Sequence, residues 1–175
     1  MKKSLVFWVE SYFYNPSTFQ KLLSILLLPL SWIYCLAMYI RYKSSAEEDL
    51  GIKVIGVGNL NVGGSGKTPL VSALAQKYDN AAIVLRGYAR DSQGLIVVRD
   101  AKNTLCDVQI SGDEAMIYAH KVQDAIVIVS EDRKLGILRA KEMGAKIVFL
   151  DDAYSKHDIK KLDFVIEVNT PNTSC

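Results

Sequence analysis

The stretch "IKVIGVGNLNVGGSGKTPL", residues 52–70, runs from an apolar, β-rich segment through a cluster of glycines into a plausible helix start. Within it, "NVGGSGKT" meets the phosphate-loop pattern G-x-x-x-x-G-K-[ST] at every position but the first, where Asn61 stands for glycine. Each residue type has a physical task. Gly63, Gly64 and Gly66 let the backbone curl so that successive N–H groups point inward at phosphate oxygens. Lys67 supplies a point charge for β- and γ-phosphates, and Thr68 offers a hydroxyl that can ligate Mg²⁺. The helix that begins here adds the positive end of its dipole. The competing reading is a glycine-rich turn that binds nothing.

A phosphate loop needs an acid at the end of another strand to hold the metal's water shell. "KIVFLDD" supplies one: an apolar run, then Asp151 and Asp152. Aspartates also end strands simply as turn formers. Between these two motifs the chain alternates. "AAIVLR", "GLIVV", "AIVIVS", "AKIVFL" and "DFVIEV" read as strands, while 67–77, 112–122 and 131–143 have helical period. Apolar strands separated by helices predict an α/β fold, a P-loop NTPase-like, mostly parallel sheet with flanking helices.

Upstream, residues 22–40 carry no charge and are flanked by Lys21, Arg41 and Lys43. As a helix this run nearly covers the ~30 Å hydrocarbon core of a bilayer, with a kink expected at Pro29. "FWVESYFYNPSTF" before it is rich in aromatics, which favour the headgroup layer. The sequence leaves open whether the helix spans the bilayer or lies in its interface; a buried helix of a soluble domain is the alternative. The expected division is a membrane-associating segment, 1–43, and a nucleotide-binding domain, 44–175. The remainder belongs in the cytoplasm, where nucleotide is. A net charge of +2 gives no pull toward nucleic acid, and no protein partner is inferable. The 3 cysteines show no CxxC spacing and are read as reduced thiols.

The order "GNLNVGGSGKTPL", "LRGYAR", "SGDEAM", "SEDR" and "FLDD", behind a membrane-proximal N-terminus, resembles the tetraacyldisaccharide 4′-kinase family over residues 8–168. The resemblance implies transfer of the γ-phosphate of ATP, with Mg²⁺, to the 4′-hydroxyl of a membrane-embedded acylated glucosamine disaccharide in lipid A biosynthesis. It implies the cytoplasmic face of the bacterial inner membrane as location. It also implies that Asn61, Val62, Gly63, Gly64, Ser65, Gly66, Lys67 and Thr68 form the ATP-binding loop. Asp113 in "GDE" would be the catalytic acid/base partner, with Lys67 and Asp151 also in the catalytic set. Arg133 in "EDR" would be a phosphate-side cation, and Thr68, Asp151 and Asp152 the metal-side groups.

Residue by residue, other readings stand beside these. Asp113 falls at a helix start, where the dipole favours a carboxylate in any case. Arg133 falls in a first helical turn, where a cation is unfavourable without a partner anion. The chain departs from the family at "DDAYSKH", where Ala153 replaces a glycine and Ser155 and Lys156 stand in place of Gln-His. The family also has a second portion, carrying a histidine that pairs with the "GDE" aspartate. The expectation is therefore an N-terminal part of such a kinase, with transfer impaired. A membrane-associated P-loop NTPase without lipid acceptor, and a nucleotide-binding module without turnover, are the alternatives.

Overall fold

The computed structural model describes residues 2–59, 66–154 and 156–167, so Asn61, Val62, Gly63, Gly64 and Ser65 of the loop lie outside the described residues. The chain divides into two compact units, Met1–Ser45 and Ala46–Cys175.

The first unit is a pair of helices, α1 (Lys2–Tyr14) and α2 (Thr18–Ser44). Ser17 starts α2 with a capping box: its hydroxyl accepts from the Gln20 amide, and the Gln20 side chain accepts from the Ser17 amide at 2.8 Å. The same glutamine, buried, donates to the Trp8 carbonyl and the Ser11 hydroxyl, and Tyr12 shares a 2.8 Å hydrogen bond with Ser24. These polar contacts fasten α1 to the first turns of α2. Beyond them α2 is exposed from residue 25 to residue 44 and uncharged as far as Ile40, and the helix continues through Pro29. It has 27 residues and an 18-residue window of mean hydropathy 2.0, of which 0% is buried. That is long and apolar enough to cross a membrane.

The second unit is a six-stranded sheet with helices on both faces. Its elements are β1 (Lys53–Asn59), α3 (Lys67–Ala75), β2 (Ala81–Leu85), β3 (Ile96–Asp100), α4 (Val108–Ser111), α5 (Asp113–Lys121), β4 (Ile126–Val129), α6 (Arg133–Glu142), β5 (Ile147–Asp151) and β6 (Leu162–Ile166). The strand order is β3-β4-β2-β5-β1-β6; β3 is antiparallel to β4 and every other pairing is parallel. The central strands β2, β4 and β5 are apolar throughout because both of their faces are covered, whereas β6 at the edge of the sheet is mostly exposed. Ala81, Ile83 and Leu85 of β2 enter one core with Val71 and Ala75 of α3 and Ala115, Tyr118 and Ala119 of α5. Ala82 and Val84 point the other way, into a core with Ile137 and Ala140 of α6. Gly136 lets α6 lie close to the sheet, since a Cβ there would sit 2.7 Å from Cγ1 of Val84. Because β1, β2, β4 and β5 run parallel, their C-terminal ends share one edge, where α/β sheets bind ligands.

Candidate nucleotide-binding site

Register decides what meets at that edge. β1 pairs with β5 so that Val57 lies opposite Asp151, and the Asp152 amide donates to the Val57 carbonyl at 2.9 Å. Gly58 permits the close approach of the chain beyond β5: a Cβ at this position would fall 2.6 Å from Cβ of Tyr154. Asp152 turns the chain there with φ of 55°, a left-handed conformation that aspartate tolerates better than most side chains. Ala153, which stands where the resembled family has glycine, is fully buried and needs no positive φ.

Lys67, the first residue of α3, reaches back across this edge. Its Nζ donates to Oδ1 of Asn59 and to Oδ1 of Asp152, both at 2.9 Å. Gly66 before it has φ of 78°, a left-handed turn that feeds the chain into the helix. Lys67, Thr68, Asp151 and Asp152 therefore meet, although they come from opposite ends of the second unit. With Leu85, Arg86, Tyr88, Glu114 and Arg133 they line a cavity of about 160 Å³.

Asp151 is buried and held at two points. Tyr118 donates its hydroxyl to Oδ2 at 2.8 Å, and Arg133 donates through Nη2 to the Asp151 main-chain carbonyl at 3.1 Å. Oδ1 is buried with no hydrogen-bond partner among the described residues. Burial pushes the Asp151 carboxyl above its ordinary range, against the opposing pull of the Tyr118 hydrogen bond and the Lys67 charge. Glu114 is raised by the same cause, with the charge of Asp151 adding to it.

Arg133 does find partners, but they are carbonyls. Besides Asp151 its guanidinium bonds the Ser130 carbonyl at 3.0 Å, and its Nε has no partner among the described residues. Its side chain is buried at the edge of the cavity and tied to the ends of β4 and β5. Asp132, not Arg133, caps α6, accepting from the amides of Lys134 and Leu135. Asp113 is exposed at the first position of α5; the N-cap is Gly112, which makes no side-chain cap hydrogen bond, and the lining residue is its neighbour Glu114.

Five residues of the edge carry no assignment from the sequence. Asn59 was signalled only by the "GN" at the strand end. Glu114 and Tyr118 are four apart on α5 and so share a face. Arg86 and Tyr88 of "LRGYAR" stack on each other, with the guanidinium 5.2 Å from the ring centroid. A roomier groove of about 660 Å³ lies at the opposite ends of β1, β5 and β6, but none of the motif residues line it. Its Lys160 and Lys161 are already paired, with Asp49 and Asp163.

Among the described residues no group of three His, Cys, Asp or Glu side chains forms a metal cage. The donors that do converge, the Thr68 hydroxyl and the oxygens of Asp151 and Asp152, are hard. They suit Mg²⁺, which keeps most of its waters and takes few protein ligands. The unpartnered, buried Oδ1 of Asp151 is the acceptor such a hydration shell would use.

A parallel sheet whose β1 leads into a glycine-rich loop, with the loop's lysine beside the acids that end the neighbouring strand, defines a P-loop nucleotide-binding protein. The model of the family described as tetraacyldisaccharide-1-P 4′-kinase, LpxK, matches residues 23–169, and the chain belongs to that family. It is 45% identical over 174 residues to the tetraacyldisaccharide 4′-kinase of Aliarcobacter butzleri, covering 99% of this chain and 55% of the relative. It is 48% identical over 168 residues to that of Campylobacter jejuni, covering 95% and 54%. Among solved structures, LpxK from Aquifex aeolicus in complex with ATP matches with a TM-score of 0.71 and 34% identity, over 82% of this chain and 48% of the other. The chain spans about half the length of the curated relatives it matches.

Proposed function

We propose that this chain forms the nucleotide-binding part of a kinase that transfers the γ-phosphate of ATP to the 4′-hydroxyl of a tetraacylated glucosamine disaccharide 1-phosphate. The observation that carries this reading is the meeting of Lys67 with Asp151 and Asp152 in one cavity behind a phosphate-loop sequence. In the proposed cycle the Lys67 ammonium leaves Asp152 for the β- and γ-phosphates, where its charge offsets the negative charge brought by the nucleotide. Thr68, Asp151 and Asp152 would hold Mg²⁺, which when bound supplies charge neutralisation at the transferring phosphoryl group. Arg133 stays at the back wall, fixing the ends of β4 and β5 and adding positive potential. Asp113, exposed at the mouth of α5, is proposed to take the proton of the acceptor hydroxyl.

The lipid acceptor gives the apolar first unit a purpose. The proposed location is the cytoplasmic face of the bacterial inner membrane, with residues 1–45 as the anchoring unit. Removing them is expected to leave nucleotide binding intact and release the protein from membranes in a sedimentation assay. A protein that still pellets with membranes would count against the anchor.

The reaction is tested by incubating membranes that contain the chain with γ-labelled ATP and the acylated disaccharide. Label in the lipid supports the kinase. Label released only as inorganic phosphate identifies a nucleotide hydrolase, and label left on ATP a module without turnover.

A further inference from the structure

We propose that Tyr118 is a positioning residue for Asp151, its phenol pinning one carboxylate oxygen so that the other faces the metal's water shell in a fixed place. This inference rests on the reading of the cavity as a Mg·ATP site. Tyr118 is fully buried in the core between α5 and the sheet. A core tyrosine needs one acceptor for its hydroxyl, and a main-chain carbonyl commonly serves. Here the acceptor is instead the side chain of a buried acid, Oδ2 of Asp151, at 2.8 Å.

That choice is expensive for folding alone, because the carboxylate is desolvated and its Oδ1 is left without a partner among the described residues. It is useful if Oδ1 is reserved for a ligand. The main chain of Asp151 is fixed by pairing with Val57 and by Nη2 of Arg133. The remaining freedom is rotation of the carboxylate, and the Tyr118 hydrogen bond removes it. Mg²⁺ demands near-octahedral geometry, so a carboxylate free to turn would be a poorer acceptor for its waters. Hydrogen-bond partners of metal-side ligands typically change metal affinity by 10- to 100-fold when removed.

The test uses the full chain in detergent, with Mn²⁺ as a paramagnetic probe titrated into the ATP complex. Tyr118→Phe keeps the ring and its packing. It is expected to weaken Mn²⁺ binding by roughly tenfold or more, while metal-free ATP affinity stays at the wild-type level. In the Asp151→Asn background, Tyr118→Phe is expected to have no further effect, because it acts through that carboxylate. Unchanged Mn²⁺ affinity in Tyr118→Phe would overturn the inference. So would an equal loss of metal-free ATP affinity, or an additive loss in the double variant, since either marks a structural role. A wild-type chain that binds neither ATP nor Mn²⁺·ATP overturns the nucleotide reading itself, a failure distinct from the others.

Discussion

Lys67→Ala is expected to lower the affinity for Mg·ATP on the order of a hundredfold, the loss of a charge-assisted contact worth about 3 kcal/mol. The reasoning starts from position. Lys67 is the first residue of α3 and contributes nothing to either core cluster, so the sheet and its helices are unaffected by the change. Its ammonium is held by Asn59 and Asp152, and the Asp152 side chain is 54% exposed, so the ion pair itself adds little stability. A phosphate group, with its higher charge density, replaces Asp152 as the preferred partner. Titration calorimetry should therefore show weak binding in the variant and an unchanged melting temperature. Wild-type affinity in Lys67→Ala would falsify the assigned role. Lys67→Arg is not a rescue, because a planar guanidinium cannot take the place of a compact ammonium between two oxygens.

Asp151→Asn is expected to separate stability from function. It removes a buried charge, so the nucleotide-free chain should gain about 1 kcal/mol, or roughly 2–4 °C in melting temperature for a domain of this size. The same change should weaken Mg²⁺-dependent ATP binding by roughly 10- to 100-fold. The pH dependence has a definite sign. Burial raises the carboxyl of Asp151, so the folded chain holds a proton that the unfolded chain releases. Stability is thus lost as pH rises from the ordinary carboxylate range near ~4 through the raised value. The Asp151→Asn variant lacks that loss. Its advantage in melting temperature should be absent at low pH and grow above ~4. A variant less stable than the wild type at neutral pH, or an advantage that shrinks with pH, would contradict the burial argument.

Much of the fold was legible because the strands of a sheet covered on both faces are short and almost wholly apolar, as in "AAIVL", "IVIV" and "IVFLD". The direction of β3 was not, since "IVVRD" has the same composition whether it runs with β4 or against it. The helix α1 was hidden by aromatics scattered without a clean stripe, and what fastens it is polar: Gln20 and Ser24 reaching back from α2. α4 is a single turn, below the length at which periodicity shows.

The site divides in the same way. Lys67, Thr68, Asp151 and Asp152 could be named because each follows or ends a recognisable strand. The partners of Arg133 could not. A cation in a first helical turn pointed to an anion; the structure gives its hydrogen bonds to two main-chain carbonyls, with the charges of Asp151 and Asp152 acting on it from nearby. Glu114 and Tyr118 required knowing which face of α5 meets the end of β5, and that depends on a strand order no local pattern contains.

The most direct measurement is an electron-density map of the full chain with Mg²⁺ and a non-hydrolysable ATP analogue. The terminal phosphates should lie within hydrogen-bond distance of Nζ of Lys67, with the metal between Thr68 and Asp151. Phosphates bound instead in the groove beside Lys53, Lys160 and Lys161, with Lys67 still on Asp152, would contradict the assignment.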